Sequence, residues 1–215
     1  MYEIIIAQFE DLRVIPVVAI DRAEDAMPLA DTLIEGGLPC AEITFRTPAA
    51  ADAMRIMSKR GDILVGAGTV LTVEQIKIAI DAGARFMVSP GFNPKVASYC
   101  INNNIVFTPG ICTPSDIEAA LDFDLNLLKF FPAEAFGGLA TLKAMSGPYT
   151  TVKFIPTGGI NPQNLAEYLR FPKVVACGGT WIAKSALISE GKFGDILRNV
   201  REAVEIIKEI KKFDS

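Results

Sequence analysis

Residues 40–59 read CAEITFRTPAAADAMRIMSK, and this stretch contains one strand-and-helix unit. Cys40–Phe45 alternates apolar and polar side chains, which is typical of a β-strand. Thr47 then supplies a helix-capping hydroxyl followed by proline, and the spacing predicts a helix over Pro48–Lys59. A strand followed closely by a helix is the unit from which parallel sheets are built.

The same unit recurs from one end of the chain to the other. We predict eight strands, at Val14–Ile20, Cys40–Phe45, Ile63–Gly66, Phe86–Ser89, Ile105–Thr108, Leu127–Phe131, Lys153–Pro156 and Val174–Cys177. Helices are predicted between them, for example at Ala23–Glu35, Pro48–Lys59, Val73–Ala82, Pro94–Asn103, Pro114–Phe123, Leu139–Met145 and Asn161–Leu169. This alternation predicts an α/β fold in which a parallel sheet closes into a (β/α)8 TIM barrel, with a doubly wound open sheet as the alternative.

Two further helices are predicted at the chain ends. Ile4, Ile5 and Phe9 predict a short N-terminal helix that covers the bottom of the barrel. Apolar residues recur with helical spacing from Phe193 to Phe213, which predicts a long C-terminal helix packed on the barrel wall. No linker or low-complexity segment interrupts the pattern, so residues 1–215 are expected to form a single domain.

Composition narrows the classes of protein to which this chain can belong. With 50% hydrophobic and 21% charged residues, it is expected to be globular. No apolar run approaches the ~20 residues that a membrane-spanning helix needs. The net charge of −4 argues against a nucleic-acid surface. The first residues contain no basic leader and the four cysteines form no C-x-x-C pair, so a reducing cytoplasm is the expected location.

Histidine is absent from the sequence. Nucleophile systems that use a Ser-His-Asp or Cys-His arrangement are therefore excluded, as are the usual histidine-containing metal sites. Acid–base chemistry must fall to Asp, Glu, Lys, Tyr or bound water. A metal site built from carboxylates alone is the remaining alternative, but no D-x-D-x-D or similar cluster occurs, so no metal is expected.

Lys129 lies in the middle of the sixth predicted strand, with two apolar residues on each side. Strand parity places it on the same face as Leu127 and Phe131. One interpretation is a lysine at the rim whose ammonium group reaches water. Lysine is rarely buried without a function, however, and removal from water disfavours its charged form and exposes a nucleophilic amine. We therefore predict that Lys129 forms a Schiff base with a carbonyl substrate.

Glu42 shares one face of the second predicted strand with Thr44 and Arg46. A carboxylate that faces a barrel interior is costly unless it is paired or neutral. One interpretation is a structural ion pair with Arg46 or Lys129. The other makes Glu42 the acid and base that moves protons around a Lys129 adduct, while the planar guanidinium of Arg46 holds a substrate carboxylate.

Double-glycine turns follow the seventh and eighth predicted strands, as Thr157-Gly158-Gly159 and Gly178-Gly179-Thr180. Tight turns use glycine freely, so a purely structural role is one interpretation. In TIM barrels, however, the loops after strands seven and eight frequently form a phosphate site. Their backbone N–H groups bind a dianion without added positive charge. We therefore predict a phosphate site at these turns.

Gly66-Ala67-Gly68-Thr69, after the third predicted strand, resembles part of a dinucleotide-binding fingerprint. The third glycine of that fingerprint is missing, and no acidic residue follows a second strand at the expected place. A Rossmann-type cofactor site is therefore not expected. Thr69 is predicted instead to donate a hydrogen bond into the site.

Together these stretches resemble the 2-keto-3-deoxy-6-phosphogluconate (KDPG) aldolase family, which also includes 4-hydroxy-2-oxoglutarate (KHG) aldolases. The resemblance runs from Val14 to Trp181 through the blocks VIPVVAI, AEITFRTPAA, VGAGTVLT, VSPGFNP, TPGICTP, LKFFPAEAFGG, FIPTGGINPQN and ACGGTW. It implies a class I aldolase that needs no metal or organic cofactor, and a homotrimer.

The resemblance also implies roles for individual residues. Lys129 matches the family's Schiff-base lysine and Glu42 its general acid and base. The positions that match the pyruvate-binding region are Arg46, Thr69 and Pro90, with Phe131 beside the lysine. The positions that match the substrate and phosphate contacts are Thr157, Gly158, Gly159, Gly178 and Gly179. Many members have serine where this chain has Thr180, which keeps the hydroxyl and adds a methyl group, so phosphate binding is expected to be retained.

The implied reaction is cleavage of KDPG, a phosphorylated 2-keto acid, to pyruvate and glyceraldehyde 3-phosphate. Three alternatives stay open. In the first, the main activity is cleavage of KHG to pyruvate and glyoxylate. In the second, the protein is a phosphosugar isomerase in which Lys129 contributes only its charge. In the third, the protein binds a sugar acid without turnover. The sequence does not determine the relative activity on KDPG and KHG, the stereochemical preference at C4 or the role of Glu134.

Overall fold

The computed structural model describes residues 2–213. Its strands are β1 (Val14–Val18), β2 (Cys40–Thr44), β3 (Leu64–Gly68), β4 (Phe86–Val88), β5 (Val106–Thr108), β6 (Gly110–Ile111), β7 (Leu127–Phe130), β8 (Lys153–Phe154) and β9 (Cys177–Gly179). Its α-helices are α1 (Tyr2–Leu12), α2 (Ala26–Gly36), α3 (Ala50–Ser58), α4 (Val73–Asp81), α5 (Pro94–Asn102), α6 (Pro114–Leu121), α7 (Gly138–Ser146), α8 (Pro162–Leu169), α9 (Ser185–Ser189) and α10 (Phe193–Phe213). Short 3-10 helices occupy Ala23–Asp25 and Glu134–Phe136.

The strands pair in parallel and form a curled sheet. Six strands form one ladder in the order β5-β4-β3-β2-β1-β9, and three form a second in the order β6-β7-β8. Only Pro109 separates β5 from β6, so β5 and β6 are two parts of one extended segment that joins the two ladders. The outer strands of the two ladders, β8 and β9, are also connected, because parallel bridges join Phe154 to Val174 and Thr157 to Gly178. The predicted α/β fold with a parallel sheet is confirmed.

Glycine and proline explain why several strands differ in extent from the predictions. β3 continues to Gly68 rather than ending at Gly66, because both glycines pair with residues of β2. The fifth predicted strand continues past Thr108 as β6, with a break at Pro109, which has no N–H for the ladder. The last strand takes in Gly178 and Gly179, residues of low strand propensity that the sequence pattern assigned to a turn.

Helix starts follow most of the predicted caps. Thr72 begins α4 with a capping box, in which its hydroxyl accepts from the N–H of Gln75 and the Gln75 side chain accepts from the N–H of Thr72. Thr47 does not cap a helix as predicted. Its hydroxyl donates to the Ile20 carbonyl instead, and α3 begins only at Ala50. Thr47 therefore ties the loop after β2 to the loop after β1.

An apolar layer fills the interior of the curled sheet. Its members are Ile5, Phe9, Ile15, Cys40, Phe86, Val88, Val106, Leu127, Ile155, Val175 and Ala176. Ile5 and Phe9 come from α1, and the Phe9 ring meets the Phe86 ring edge to face with centroids 5.0 Å apart. The predicted N-terminal helix therefore closes the amino end of the sheet.

The long C-terminal helix α10 packs against α2 and α8 on the outside of the sheet, as predicted. Its buried stripe includes Ile196, Val200 and Ile207. A Cβ on Gly36 of α2 would lie 2.2 Å from Cγ1 of Val200, so glycine at this position permits the close approach of the two helices. Within residues 2–213, no helix combines the length and the apolar character needed to span a membrane.

Candidate active site

Lys129 and Glu42 meet inside the curled sheet. Nζ of Lys129, on β7, donates a hydrogen bond of 3.1 Å to Oε1 of Glu42, on β2. The two side chains are only 7% and 5% exposed. The predicted interior position of Lys129 is confirmed. Of the two ion-pair partners considered for Glu42, the one that it contacts is Lys129.

Strand parity explains why these polar side chains gather in one place. Glu42 comes two residues after Cys40, and Lys129 two residues after Leu127, and both Cys40 and Leu127 belong to the apolar layer. Every second side chain of a strand points to the same face, so each polar group stands one step nearer the carboxyl end than its apolar neighbour. Thr157 follows the same rule. A polar layer therefore lies above the apolar one.

Two glycines of β3 make room for the site. A Cβ on Gly68 would lie 2.3 Å from Oε1 of Glu42, and a Cβ on Gly66 would lie 2.2 Å from the ring of Phe86. Both distances are far shorter than van der Waals contact, so a larger residue at position 68 must displace the Glu42 carboxylate. The Gly-Ala-Gly segment therefore provides space. Comparison with a dinucleotide fingerprint did not reveal this role.

Phe131 lies beside the lysine, directly after β7. Nζ of Lys129 is 5.4 Å from the centroid of the Phe131 ring, within the range of a cation–π contact. The following peptide bond, Phe131–Pro132, is cis. The aromatic ring forms one wall of the space around the amine.

Arg46 and Thr69 lie together at the carboxyl ends of β2 and β3. Nε of Arg46 donates to Oγ1 of Thr69 over 3.4 Å. Thr69 has a φ of 56°, an uncommon conformation for threonine, and turns the chain immediately after Gly68. Within residues 2–213, no carboxylate forms an ion pair with Arg46. Its guanidinium is therefore available to an external anion.

Pro90 lies at the same end of the sheet, after β4. A Cβ on Gly110 would lie 2.1 Å from the carbonyl oxygen of Pro90, so this loop packs closely on the start of β6. The Ser89 hydroxyl donates to the carbonyl of Gly91 over 2.6 Å and fixes the loop from within. Pro90 thus lies at the carboxyl end of the sheet and packs on Gly110.

The two double-glycine turns lie side by side. Thr157 and Gly178 form a parallel bridge, and a Cβ on Gly178 would lie 2.2 Å from Oγ1 of Thr157. Gly158 and Gly159 have φ values of 97° and 83°, which other residues rarely adopt. Thr180, which follows the second pair, is exposed. The structure therefore brings all the predicted phosphate-site residues to one part of the carboxyl end.

Sequence reasoning missed Tyr168 and left Glu134 without a role. Tyr168 lies on α8 and is 1% exposed, and its hydroxyl donates to Oε1 of Glu134. Burial, together with the hydrogen bond to Glu134 and the charge of that carboxylate, raises the pKa of Tyr168. The tyrosine occupies an apolar position in the helical pattern, so no sequence signal distinguished it from a core residue.

Chemistry rather than cavity size identifies the site. A cavity of about 440 Å³ lies at the amino ends of the strands, away from Lys129, and its lining includes Arg85, Tyr99 and Ile105. That cavity has no buried nucleophile or acid–base pair in its lining. Across residues 2–213, no cluster of three or more potential metal-binding side chains occurs. The lysine end of the sheet is therefore the candidate active site.

The chain is similar to proteins with a named activity. Residues 5–199 match the family model described as KDPG and KHG aldolase. The chain is 48% identical to the 2-dehydro-3-deoxy-phosphogluconate aldolase of Haemophilus influenzae, over 95% of this chain and 97% of that protein. It is 40% identical to the KHG/KDPG aldolase of Escherichia coli strain K12, over 89% of this chain and 91% of that protein.

Solved structures agree with these sequence matches. A crystal structure of KDPG aldolase from Legionella pneumophila, with pyruvate captured at low pH as a covalent carbinolamine intermediate, matches with a TM-score of 0.88. The two chains are 40% identical, and the match covers 92% of this chain and 97% of that one. The chain therefore belongs to the KDPG and KHG aldolase family, and it is a lyase.

Proposed function

We propose that the protein is a class I aldolase that cleaves KDPG to pyruvate and glyceraldehyde 3-phosphate. The contact between the buried Lys129 amine and the Glu42 carboxylate carries this proposal. Imine formation needs a nucleophilic amine and a group that moves protons within hydrogen-bond reach of it. Relatives with 48% and 49% identity are named for this activity, which supports the choice of substrate.

In the proposed reaction Lys129 is the nucleophile and Glu42 carries protons. The uncharged amine adds to the C2 ketone, and Glu42 relays protons through a water molecule while the carbinolamine loses water to give an imine. The protonated imine accepts the electron pair of the C3–C4 bond as the C4 hydroxyl loses its proton, and glyceraldehyde 3-phosphate leaves. The enamine then takes a proton at C3, and hydrolysis releases pyruvate and restores the amine. No metal or organic cofactor takes part.

The other site residues divide between the two ends of the substrate. Arg46, Thr69 and Pro90 receive the carboxylate end, which the Arg46–Thr69 hydrogen bond and the unpaired guanidinium support. Phe131 packs beside the reacting carbon. The phosphate end is received by the backbone N–H groups and hydroxyls of the two glycine turns, Thr157, Gly158, Gly159, Gly178, Gly179 and Thr180.

The proposal extends to the architecture and the setting of the enzyme. Residues 1–215 form one domain, and its sheet closes as an eight-stranded (β/α)8 TIM barrel. Two observations support this closure: β5 and β6 are parts of one extended segment, and bridges connect β8 and the residues after it to the last strand. A homotrimer follows from the family resemblance, and the exposed side chains of Leu71, Ile78 and Ile101 offer apolar surface for it. The enzyme acts in the cytoplasm on a small phosphorylated keto acid, in the Entner–Doudoroff pathway, without nucleic-acid or membrane partners.

Borohydride reduction in the presence of pyruvate tests the chemistry directly. Reduction of the imine should attach a pyruvate-derived group to Lys129 and inactivate the enzyme permanently, and peptide mapping by mass spectrometry locates the group. Lys153, an exposed lysine on β8, is an internal control that should stay unmodified. Protein that stays active with an unmodified Lys129 would reject the Schiff base and favour an isomerase, whereas ligand binding without turnover would favour a binding protein.

A second candidate is KHG cleavage as the main activity. The family model and the Escherichia coli relative both include KHG in their names. The ratio of kcat/KM on the two substrates decides between them. We expect Thr180→Val to lower kcat/KM about tenfold on KDPG and to leave KHG cleavage unchanged, because only KDPG has a phosphate for the hydroxyl to contact.

A further inference from the structure

A tyrosine–glutamate pair joins α8 to the segment that follows β7. The Tyr168 hydroxyl donates to Oε1 of Glu134, and Tyr168 is otherwise enclosed in the core. The Cα–Cβ bonds of a helix tilt toward its N-terminus, so a residue near the end of α8 can reach back toward the carboxyl ends of the strands. A hydrogen bond to a carboxylate is among the stronger ones that a hydroxyl makes. The contact therefore fixes the Glu134 side chain.

The Glu134 side chain in turn lies against the first double-glycine turn. A Cβ on Gly159 would be 2.5 Å from both Cβ and Cγ of Glu134, and a Cβ on Gly138 would be 2.8 Å from Oε1 of the same residue. The backbone adds two further connections. The N–H of Ala133 donates to the Thr157 carbonyl over 2.8 Å, and the N–H of Glu134 donates to the Gly158 carbonyl over 3.0 Å.

This arrangement is separate from the reacting groups. Glu42 comes from β2, and its contact with Lys129 does not involve α8 or Glu134. A change at Tyr168 that leaves the helix in place therefore acts first on Glu134 and on the Gly158–Gly159 part of the turn, and it removes no contact of Lys129 or Glu42. That separation allows effects on binding of the phosphate end to be measured apart from effects on imine chemistry.

We propose that Tyr168 and Glu134 are positioning residues that hold the Thr157–Gly159 turn in the shape that receives the substrate phosphate. The proposal rests on the proposed function, because it assigns the phosphate to this turn. Neither residue needs to touch the substrate. Tyr168 holds the Glu134 side chain, and Glu134 packs on Gly159 and bonds to Gly158. Precise placement of backbone N–H groups is what anion binding by a turn requires.

Kinetics of Tyr168→Phe test the proposal, because this change removes only the hydroxyl. We expect KM for KDPG to rise about tenfold, the equivalent of one lost hydrogen bond, while kcat and all constants for KHG stay within about twofold of the original values. The matched control is Tyr149→Phe, since the Tyr149 hydroxyl also donates to a glutamate, Glu118, over 3.0 Å, and that hydrogen bond involves no residue of the turn. Equal losses on both substrates would overturn the proposal.

Variants of Glu134 separate positioning from charge. Glu134→Gln keeps an oxygen that accepts from Tyr168, so its KM for KDPG should stay close to the original value. Glu134→Ala should raise KM for KDPG as much as Tyr168→Phe does. The double variant Tyr168→Phe, Glu134→Ala should be no worse than either single change, because the two residues act as one unit. Additive losses would show that the two side chains act independently.

Amide hydrogen exchange supplies a readout that does not depend on the substrate. The amides of Ala133 and Glu134 should exchange faster in Tyr168→Phe, while that of Phe45, bonded to the Gly68 carbonyl over 2.9 Å, should not change. Unchanged exchange at Ala133 and Glu134 would overturn the positioning role whatever the substrate is. Failure of pyruvate trapping on Lys129 would instead overturn the proposed function, so the two failures are distinct.

Discussion

Two lysine–glutamate pairs on neighbouring strands have the same nitrogen-to-oxygen distance and very different surroundings. Lys129 on β7 lies 3.1 Å from Glu42, and Lys153 on β8 lies 3.1 Å from Glu10. The side chains of the first pair are 7% and 5% exposed, and those of the second are 53% and 47% exposed. The two pairs therefore differ in their removal from water and not in their nitrogen-to-oxygen distance.

The two environments have different energetic consequences. An exposed pair contributes about 0–1 kcal/mol to stability, because water and salt compete for both charges. A buried pair loses much of its Coulomb energy to desolvation, and well-packed apolar residues often replace such a pair without loss of stability. Stability is therefore a poor explanation for the Lys129–Glu42 pair, and imine chemistry is a good one.

Replacing the two lysines should give the largest difference in activity between the buried and the exposed pair. Lys129→Ala should lower kcat/KM by a factor on the order of 10⁴ or more, because it removes the nucleophile. Lys153→Ala should leave activity unchanged and alter stability by no more than about 0.5 kcal/mol. Steady-state kinetics and circular dichroism check both variants. Loss of the folded state in Lys129→Ala would assign this lysine a structural role.

Replacing the two glutamates should give a smaller contrast. Glu42→Gln should slow imine formation by roughly 10² to 10³, because the amide cannot relay protons, while the substrate still binds. Glu10→Gln, the matched exposed change, should have no effect. Rates of borohydride trapping with pyruvate measure the step directly. Normal turnover by Glu42→Gln would remove this residue from the mechanism.

Crowding the buried pair should give the smallest of these effects on activity. Gly68→Ala places a Cβ 2.3 Å from Oε1 of Glu42 and must displace the carboxylate. We expect kcat/KM to fall about tenfold and the free energy of unfolding to fall by about 1–3 kcal/mol. Gly194→Ala is the control, because a Cβ there meets nothing within 4 Å. Unchanged kinetics in Gly68→Ala would mean that the position of Glu42 is not critical.

Local pattern was sufficient to place Lys129 and Glu42 on the correct face of the sheet. A period of two along the strand puts Lys129 with Leu127, and that inference needs no knowledge of the neighbouring strands. Local pattern did not decide between Arg46 and Lys129 as the ion-pair partner of Glu42. Glu42 and Lys129 are 87 positions apart, and only the curled arrangement of the strands brings them into contact.

Features that depend on neighbours in space were not predictable from one sequence. A carboxylate from another strand occupies the space beside Gly68 that a side chain would fill, and the Tyr168 hydroxyl donates to Glu134 from a different element of the fold. The hydroxyl of Thr47 had two acceptable uses, as a helix cap or as a bond to another loop, and tertiary contact decided between them. The sequence pattern contains residue types and spacing but not these distances.

The helix at the amino end has a consequence for the order of events. Phe9 of α1 packs on Phe86 and, with Ile5, closes that end of the sheet, so we infer that substrate and products reach Lys129 from the carboxyl ends of the strands. In the proposed reaction the aldehyde carries the phosphate toward the carboxyl ends of the strands, while the three-carbon fragment stays covalently bound to Lys129. Glyceraldehyde 3-phosphate must therefore exit first and pyruvate second, a sequence that product-inhibition patterns reveal.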